Sequence, residues 1–264
     1  MPELPEVETF VRSLQPAVGS RIDRADVLDP KLDVDASELD GRRITSIARR
    51  GKHIVVGLDN GAHLVIHLRM SGRLRLDCSE AEIRYTRLTL RLDSGEEIYF
   101  VNPRRLGTAR VCRNGFDAEL GVEPLSTAFT PARLSELAAA TRAPIKHLLM
   151  NQRRIAGVGN IYAAEALWRA GIDPRRPSSS LGKTEVEALH GGLVGVLAEA
   201  IDQLGTTLGA SVSDYRPTAA TSGEFQNRLY VYGREGEDCA RCGGTIERTM
   251  QQGRSTCFCP SCQT

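Results

Sequence analysis

Four cysteines near the end of the sequence constrain the fold most. Cys239-x2-Cys242 and Cys259-x2-Cys262 have the spacing of a zinc ribbon, in which each pair places two sulfurs on one side of a tight turn. Two disulfides in a secreted protein are the alternative, but the sequence shows no signal peptide and contains three further cysteines, Cys78, Cys112 and Cys257. We therefore predict a β-hairpin that holds one structural Zn²⁺, with Cys257 as a hairpin side chain or a spare ligand.

The first residues, Met1-Pro2-Glu3-Leu4-Pro5, indicate covalent amine chemistry. Removal of Met1 would leave Pro2 with a secondary α-amine, and α-amines have a pKa of about 8, well below that of lysine. Attack of this amine on a sugar C1′ would give an iminium ion, which is an electron sink for elimination. Glu3 is placed to act as general acid or base. The alternative is structural, because Pro and Glu also favour the first turn of a helix.

The composition excludes several classes of protein. The chain has 264 residues, enough for two domains, and its 41% hydrophobic and 25% charged residues are typical of soluble globular proteins. No apolar run approaches the ~20 residues of a membrane span, and free cysteines suit a reducing compartment, so we expect a cytoplasmic protein without a membrane partner. The net charge is only +1, but residues 141–177 contain seven Lys and Arg against two acidic residues. That stripe indicates a phosphate-binding surface or an ordinary solvated helical face.

Hydrophobic patterning divides the chain into four parts. Apolar residues at helical spacing predict an amphipathic helix over 3–17. Short alternating runs separated by hairpin turns predict antiparallel strands over 44–48, 53–58, 63–68, 87–92 and 97–101. Helical periodicity returns over 131–140, 144–151, 160–170 and 183–203, and a loop follows over 208–224. We predict an α+β fold with a helix and antiparallel β-sandwich over 1–115, a linker over 116–130, a helical domain over 131–225 and the zinc hairpin over 226–264.

A glycine turn, Gly157-Val158-Gly159-Asn160, leads into one of the predicted helices. Asn160 is predicted to be the N-cap of that helix. The start of a helix offers backbone N–H groups and the positive end of the helix dipole to an anion, so this turn is a candidate phosphate site. Glycines that serve only close helix packing are the alternative.

Three further candidates lie at the ends of strands. The loop Asn102-Pro103-Arg104-Arg105-Leu106-Gly107 combines two arginines with an apolar tip, which suits a wedge that enters a nucleic-acid duplex from the minor groove. Met70, in His67-Leu68-Arg69-Met70-Ser71-Gly72, is a flexible apolar side chain that suits such a gap or a protein core. Lys52, after Arg49-Arg50-Gly51, is a phosphate contact or, by default, a solvated lysine. Taken alone, the arginine loop is an ordinary exposed turn.

Taken together, the motifs resemble the Fpg/Nei family of bacterial formamidopyrimidine-DNA glycosylases. The resemblance covers the whole chain through PELPEVE, RRGKH, HLRMSG, NPRRLG, LGVEPLS, AGVGNIYAAEALWRAGIDP, LYVYGREGEDC and GRSTCFCPSC. It implies an N-terminal helix with a β-sandwich, a helix-two-turn-helix domain and a zinc finger, with DNA in a cleft between the lobes. It also implies a monomeric, bifunctional base-excision enzyme that acts on damaged double-stranded DNA and removes 8-oxoguanine, preferably opposite cytosine, and formamidopyrimidines.

The resemblance assigns the chemistry to the first residues of the chain. By motif position, Pro2 looks like the Schiff-base nucleophile and Glu3 like the proton donor that helps to open the deoxyribose. Lys52 matches a lysine near the lesion phosphate. The 208–224 loop matches a loop that covers the extruded base. β- and δ-elimination would then cut the strand on both sides of the sugar.

The resemblance also implies a set of DNA contacts and a metal site. The matching DNA-binding positions are His67, Met70, Arg104, Leu106, Lys146, Asn160 and Arg254. Met70, Arg104 and Leu106 would fill the space left by the flipped nucleotide, with Arg104 facing the orphaned cytosine. Asn160 and Arg254 would clamp the phosphate backbone around the lesion. The zinc ligands would be Cys239, Cys242, Cys259 and Cys262.

The sequence departs from the family pattern in the wedge loop. The family usually has Asp-Pro-Arg-Arg-Phe-Gly, whereas this chain has Asn102 and Leu106 at the Asp and Phe positions. The change at 102 removes a carboxylate that could brace an arginine, and the change at 106 removes an aromatic ring that stacks on bases. Two alternatives stay open: an endonuclease VIII-like enzyme for oxidised pyrimidines, and a non-catalytic damage-binding protein on the same fold. Intact Pro2, Glu3 and Lys52 favour an enzyme.

Overall fold

The computed structural model of this chain describes residues 1–113, 116, 119–208 and 222–264. The chain forms two compact units, Met1–Ala118 with Gln203–Gln226 and Glu119–Asp202 with Asn227–Thr264. The predicted boundary differs, because the sequence analysis placed residues 203–225 in the helical domain. A hydrogen bond explains the difference: the Thr206 N–H donates to the buried Glu6 carboxylate of the first unit at 2.9 Å.

The first unit is a helix followed by a β-sandwich, as predicted. Among its described residues, the α-helices are α1 (Leu4–Ser13) and α2 (Glu80–Ile83). Its strands are β1 (Ile22–Val27), β2 (Ile44–Arg50), β3 (His53–Leu58), β4 (His63–His67), β5 (Arg73–Arg75), β6 (Thr86–Leu92), β7 (Glu97–Val101) and β8 (Thr108–Cys112). They form two antiparallel sheets, ordered β1-β6-β7-β5 and β2-β3-β4-β8. Hydrophobic alternation predicted five of these strands and missed β1, β5 and β8.

The core of this unit lies between the two sheets and beneath α1. Ile54 and Val56 of β3 are buried in it, whereas His53 and Val55 alternate with them and lie on the opposite face of the sheet. Phe10 lies on the buried face of α1, and this helix packs against β2 and β3. Helix α1 ends at Ser13, earlier than the predicted residue 17. A separate 3-10 turn over Gln15–Ala17 follows it and continues the apolar periodicity, which is why the pattern predicted a longer helix.

A buried ionic cluster closes the β5 edge of its sheet. The carboxylate of Glu82, in α2, accepts hydrogen bonds from the guanidinium groups of Arg73 and Arg75, the latter at 2.7 Å, and from the Ser79 hydroxyl at 2.8 Å. Both arginine side chains are only 1% exposed. Burial alone would raise the pKa of Glu82, but Ser79 and the two guanidinium groups outweigh it and hold that pKa below its ordinary value. The cluster therefore depends on a charged Glu82.

We expect Glu82→Gln to lower the free energy of unfolding by about 3–5 kcal/mol, because it removes the buried carboxylate that both arginines share. Urea unfolding followed by circular dichroism measures this. Glu80→Gln, on the exposed side of the same helix, is the control and should change stability by no more than about 0.5 kcal/mol. Since the folded pKa lies below the unfolded one, the stabilisation is complete above about pH 4.5 and is lost as the pH falls through the folded pKa. Equal effects of the two substitutions would contradict this account.

The second unit contains four helices and the hairpin. They are α3 (Pro131–Ala139), α4 (Ile145–Met150), α5 (Asn160–Ala170), α6 (Lys183–Asp202), and the antiparallel pair β9 (Glu247–Gln251) and β10 (Arg254–Phe258). All four helices lie where the periodicity predicted them, within about two residues at each end. In the described part of the chain, no helix is long and apolar enough to cross a membrane.

The start of α5 differs from the prediction. Its N-cap is Gly159 and not Asn160, which is the first helical residue. Gly157, two residues earlier, has a positive φ of 84°, so the chain enters the helix through a turn that favours glycine. The Asn160 side chain is thereby free of a capping role and donates from Nδ2 to the Ser255 carbonyl of β10 at 3.0 Å.

Candidate functional site

Pro2 and Glu3 lie at the beginning of α1. Both residues are buried, whereas Met1 is exposed. Glu3 is the N-cap of α1 and forms a capping box with Glu6, whose Oε2 accepts from the Glu3 N–H at 2.7 Å. The interpretation of Glu3 as part of a helix start is thus confirmed. The Pro2 nitrogen lies directly before this ordered helix start. Met1 precedes Pro2 in this structure, so the Pro2 nitrogen is an amide here; removal of Met1 would turn it into an amine held at this helix start, as a covalent reaction requires.

Glu6 is a candidate positioning residue that the sequence analysis did not single out. Its carboxylate joins the start of α1 to residues 203–208, since Oε1 accepts from the Thr206 N–H and Gly205 lies directly against the side chain. Thr207 then accepts from the Gly223 N–H through Oγ1 at 2.7 Å. The two described ends of the predicted 208–224 loop are therefore bonded together close to the N-terminus; residues 209–221 lie outside the described residues. The Glu3-x-x-Glu6 capping pattern was the available sequence signal.

Lys52 lies in the turn between β2 and β3 and is buried, so its default interpretation as a solvated lysine is wrong. Arg49 fixes this turn: its Nε donates to Glu8 of α1 at 3.1 Å and its Nη1 to the Gly51 carbonyl at 3.1 Å. Gly51 has a φ of +58°, which favours glycine. These contacts tie the Lys52 turn to the helix that carries Pro2.

The two loops predicted to form a wedge run side by side at one edge of the sandwich. Residues 68–72 connect β4 to β5, and residues 102–107 connect β7 to β8. The strand register places their ends together, since His67 pairs with Thr108 and Arg73 pairs with Val101. Each loop crosses from one sheet to the other. The structure therefore brings together two segments that are distant in sequence.

The tips of these two loops are exposed. Met70 is 45% exposed and Leu106 is 51% exposed. Arg104, the third residue predicted to form the wedge, is also exposed. A core position for Met70, the commoner case, is thus wrong. Large exposed apolar side chains beside a cationic one suit insertion into a partner with an apolar interior.

His67 lies at the end of β4 and lines a cavity of about 370 Å³, whose other charged or titratable lining residues are His53, the cationic Lys31, Arg69 and Arg110, and the acidic Asp33. Burial, with the nearby cations, lowers the pKa of His67 to about 3 and that of His53 to about 4. The Arg69 N–H donates to His67 Nδ1 at 3.0 Å. A neutral imidazole that accepts at Nδ1 carries its proton on Nε2, which can donate to a phosphate oxygen.

The second unit has its own candidate anion-binding residues around the hairpin. Arg254 is exposed and lines a cavity of about 260 Å³ with His147, Asn151 and Arg154. Lys146 is buried, and its Nζ donates to the Ser255 carbonyl and to Thr256 Oγ1 at 3.1 and 2.8 Å. Lys146 thus holds β10 in place beside Arg254.

The four cysteines of the hairpin form a metal centre. Their sulfurs lie within 4.8 Å of one another, with Cys239 and Cys262 at 3.7 Å and Cys242 and Cys259 at 3.5 Å. Zn–S bonds of about 2.3 Å in a tetrahedron place sulfurs about 3.8 Å apart, so the residues fit Zn²⁺. Cys257 is buried in the small core of the hairpin and is not part of this set. It is a hairpin side chain.

A second layer of contacts supports the metal centre. The Trp168 indole N–H of α5 donates to Cys239 Sγ at 3.3 Å, and Tyr230 stacks on the same ring at 4.1 Å. Burial raises the pKa of the Cys239 thiol, but the bond from Trp168 and nearby backbone N–H groups outweigh it and lower that pKa to about 6. Glu165, also in α5 and fully buried, accepts from the N–H groups of residues 230–232. Helix α5 thus holds the segment that leads into the hairpin.

Three family models match this chain. They are the formamidopyrimidine-DNA glycosylase N-terminal domain over residues 1–109, the formamidopyrimidine-DNA glycosylase H2TH domain over 120–211, and a zinc finger found in FPG and IleRS over 236–264. Their order follows the helix and sandwich, the helical region and the hairpin.

Named proteins and solved structures match over nearly the whole chain. The formamidopyrimidine-DNA glycosylase of a Roseiflexus species is 45% identical, with 100% of each chain covered. The Fpg crystal structure from Thermus thermophilus has a TM-score of 0.90 at 43% identity and covers 99% of this chain and 98% of that one. A complex of Lactococcus lactis Fpg with DNA containing an abasic site has a TM-score of 0.87 at 31% identity, with 99% of each chain covered.

Proposed function

This chain belongs to the formamidopyrimidine-DNA glycosylase family, and we propose on that basis that it removes 8-oxoguanine and formamidopyrimidines from duplex DNA through a Schiff base on Pro2. As a member of the family it is a DNA glycosylase of base excision repair with AP lyase activity, and it holds one structural zinc. The observation that supports the proposed Schiff base on Pro2 is the position of this residue, at an ordered helix start in the same unit as the wedge loops.

The proposed reaction begins at the Pro2 nitrogen. Its lone pair attacks C1′ of the damaged nucleotide, a bond forms between nitrogen and C1′, the glycosidic bond to the base breaks, and the proton lost from the nitrogen neutralises the departing base. Glu3 donates a proton as the deoxyribose ring opens, which leaves an iminium ion on the open sugar. Loss of a proton from C2′ breaks the bond to the 3′ oxygen, and a second elimination breaks the bond to the 5′ oxygen.

The wedge loops make C1′ accessible. A stacked nucleotide must rotate out of the duplex first, at a cost of a few kcal/mol. The exposed Met70 and Leu106 side chains supply apolar surface for the vacated space, and Arg104 supplies donors for the orphaned cytosine. Leu106 offers less stacking surface than the family's phenylalanine, so this chain depends more on Met70 and Arg104.

Phosphate contacts from each unit supply the affinity. His67 and Lys52 serve the first unit, and Arg254 and Asn160, beside the dipole of α5, serve the second. Because such contacts release counterions, we expect binding that is independent of sequence and weakens steeply with salt. Lys146, being buried, contributes by holding β10 and thus Arg254.

Borohydride trapping tests this proposal. The protein is incubated with a labelled duplex carrying 8-oxoguanine opposite cytosine, and we expect a covalent protein–DNA band on reduction, with none on the undamaged duplex. A parallel duplex with thymine glycol addresses the endonuclease VIII-like alternative, which faster processing of thymine glycol would favour. Tight binding without a trapped band on either lesion would favour the damage-binding alternative. Gel filtration with light scattering should give one species near 28.8 kDa, in keeping with a monomer.

A further inference from the structure

We propose that Asp29 is a positioning residue that sets the selectivity of this enzyme for the base opposite the lesion, by fixing Arg105 in the wedge loop. The proposal rests on the proposed role of Arg104, which follows Pro103 in the same loop. Asp29 lies after β1, and neither the sequence patterns nor the family motifs pointed to it.

The contact between Asp29 and Arg105 is bidentate. Arg105 Nε donates to Oδ2 at 2.8 Å and Arg105 Nη2 donates to Oδ1. The Asp29 side chain is only 2% exposed, and the Lys31 N–H also donates to it at 3.1 Å. The hydrogen bonds from Arg105 are the main cause that lowers the pKa of Asp29 to about 2, so this carboxylate is charged at neutral pH. Charge-assisted forked pairs of this kind fix geometry as well as charge.

Arg105 needs such a partner because of its backbone. Its φ is +53°, a left-handed conformation that is unfavourable for a non-glycine residue. Its N–H donates to the Asn102 carbonyl at 3.1 Å, which closes a tight turn around Arg104. Without the external contact to Asp29, the loop loses the interaction that offsets this strain. The side chains on either side of Arg105, which form the wedge, would then adopt several orientations.

The side chain of Asn102 does not brace Arg105, because it is engaged elsewhere in the loop. Its amide bridges the loop, donating from Nδ2 to the Gly107 carbonyl at 3.2 Å and accepting from the Gly107 N–H at 3.3 Å. A carboxylate at this position could accept but not donate. The loss of the family's aspartate at 102 thus does not leave the loop without an arginine brace, because the buried carboxylate of Asp29 performs that function.

The test uses two variants whose charge changes have opposite sign. Asp29→Asn removes a negative charge and frees Arg105, so overall DNA affinity should stay equal or rise. Arg105→Gln removes a positive charge, so overall affinity should fall. Both variants release the loop, so both should lose selectivity. A purely electrostatic effect would move the two variants in opposite directions.

The measurement is the dissociation constant for duplexes with a tetrahydrofuran abasic analogue opposite cytosine or opposite adenine. We expect the preference for cytosine to fall by about tenfold in both variants, the effect of losing one charge-assisted hydrogen bond. Asp29→Glu, which keeps the charge, should recover most of the preference. Asp26→Asn is the matched control, because Asp26 pairs with Arg24 and Arg91 at the surface of β1.

An unchanged preference in both Asp29→Asn and Arg105→Gln would overturn the proposal, and so would an equal loss in Asp26→Asn. If Arg105→Gln fails to fold, Asp29→Asn and the charge-preserving Asp29→Glu decide the matter: loss of the preference in the first with recovery in the second supports the proposal, and an unchanged preference in the first overturns it. The readout is binding to an uncleavable analogue, so it does not depend on which lesion the enzyme excises. Failure of 8-oxoguanine trapping in the wild type would therefore refute the proposed function and leave this test intact.

Discussion

A protein that retains Met1, or carries any extension before Pro2, is expected to lose strand cleavage at an abasic site by roughly a thousandfold or more, which corresponds to about 4 kcal/mol of barrier. In a peptide bond the proline nitrogen shares its lone pair with the carbonyl, so it is no longer a nucleophile. Met1 is exposed while Pro2 and Glu3 are buried, so an extension leads away from the ordered start of α1. The loss should therefore be chemical, with little change in folding or DNA binding.

The measurement compares three preparations on one labelled abasic duplex. One carries an N-terminal tag, the second is the same protein after a protease has exposed Pro2, and the third is tagged only at its C-terminus. We expect a borohydride-trapped band and strand cleavage in the last two alone, with similar dissociation constants for all three. A tagged protein with full lyase activity would refute the role of Pro2 and would redirect attention to the buried Lys52.

Local patterns predicted the regular parts of the fold, and long-range contacts determine the parts that they missed. Alternation revealed β3 and β7 because each buries one face against the core. It missed β5, a strand of three residues whose two arginines are buried against Glu82 of α2 and so give no apolar alternation. The N-cap of α5 was placed one residue too late, since both Gly159 and Asn160 are common at that position.

The site could be predicted as a set of residues but not as an arrangement. The cysteine spacing alone indicated the metal centre, because its ligands come in two local pairs. The wedge needed the strand register, in which His67 meets Thr108 across two sequence-distant segments. Burial of Lys52 and the pairing of Asp29 with Arg105, 76 residues apart, leave no trace in any local pattern. Residue types indicate which reactions are possible, whereas the fold determines which side chains lie close enough to act together.

Cys242→Ser is expected to weaken DNA binding by at least roughly a hundredfold, through loss of the zinc-bound hairpin. The hairpin has a very small core, so without the metal it has little to hold its strands together. Strand β10 carries Arg254, and its Ser255 carbonyl and Thr256 hydroxyl accept hydrogen bonds from Lys146 and Asn160. Unfolding of β10 would thus remove the phosphate contact of Arg254 and the partners of two further residues. The phosphate contacts of Arg254 and Asn160 are both charge-assisted, and their loss accounts for about 3–6 kcal/mol of binding free energy.

The matched control is Cys257→Ser, on the same hairpin and buried but outside the metal set. Zinc content by mass spectrometry should be one per chain in the wild type and in Cys257→Ser, and well below one in Cys242→Ser. Dissociation constants for a tetrahydrofuran duplex should follow the zinc content, and the salt dependence of binding should become shallower in Cys242→Ser, because fewer counterions are released. Undiminished binding by a zinc-free Cys242→Ser protein would show that β10 holds its position without the metal. The contacts of Lys146 and Asn160 would then be the interactions that stabilise it.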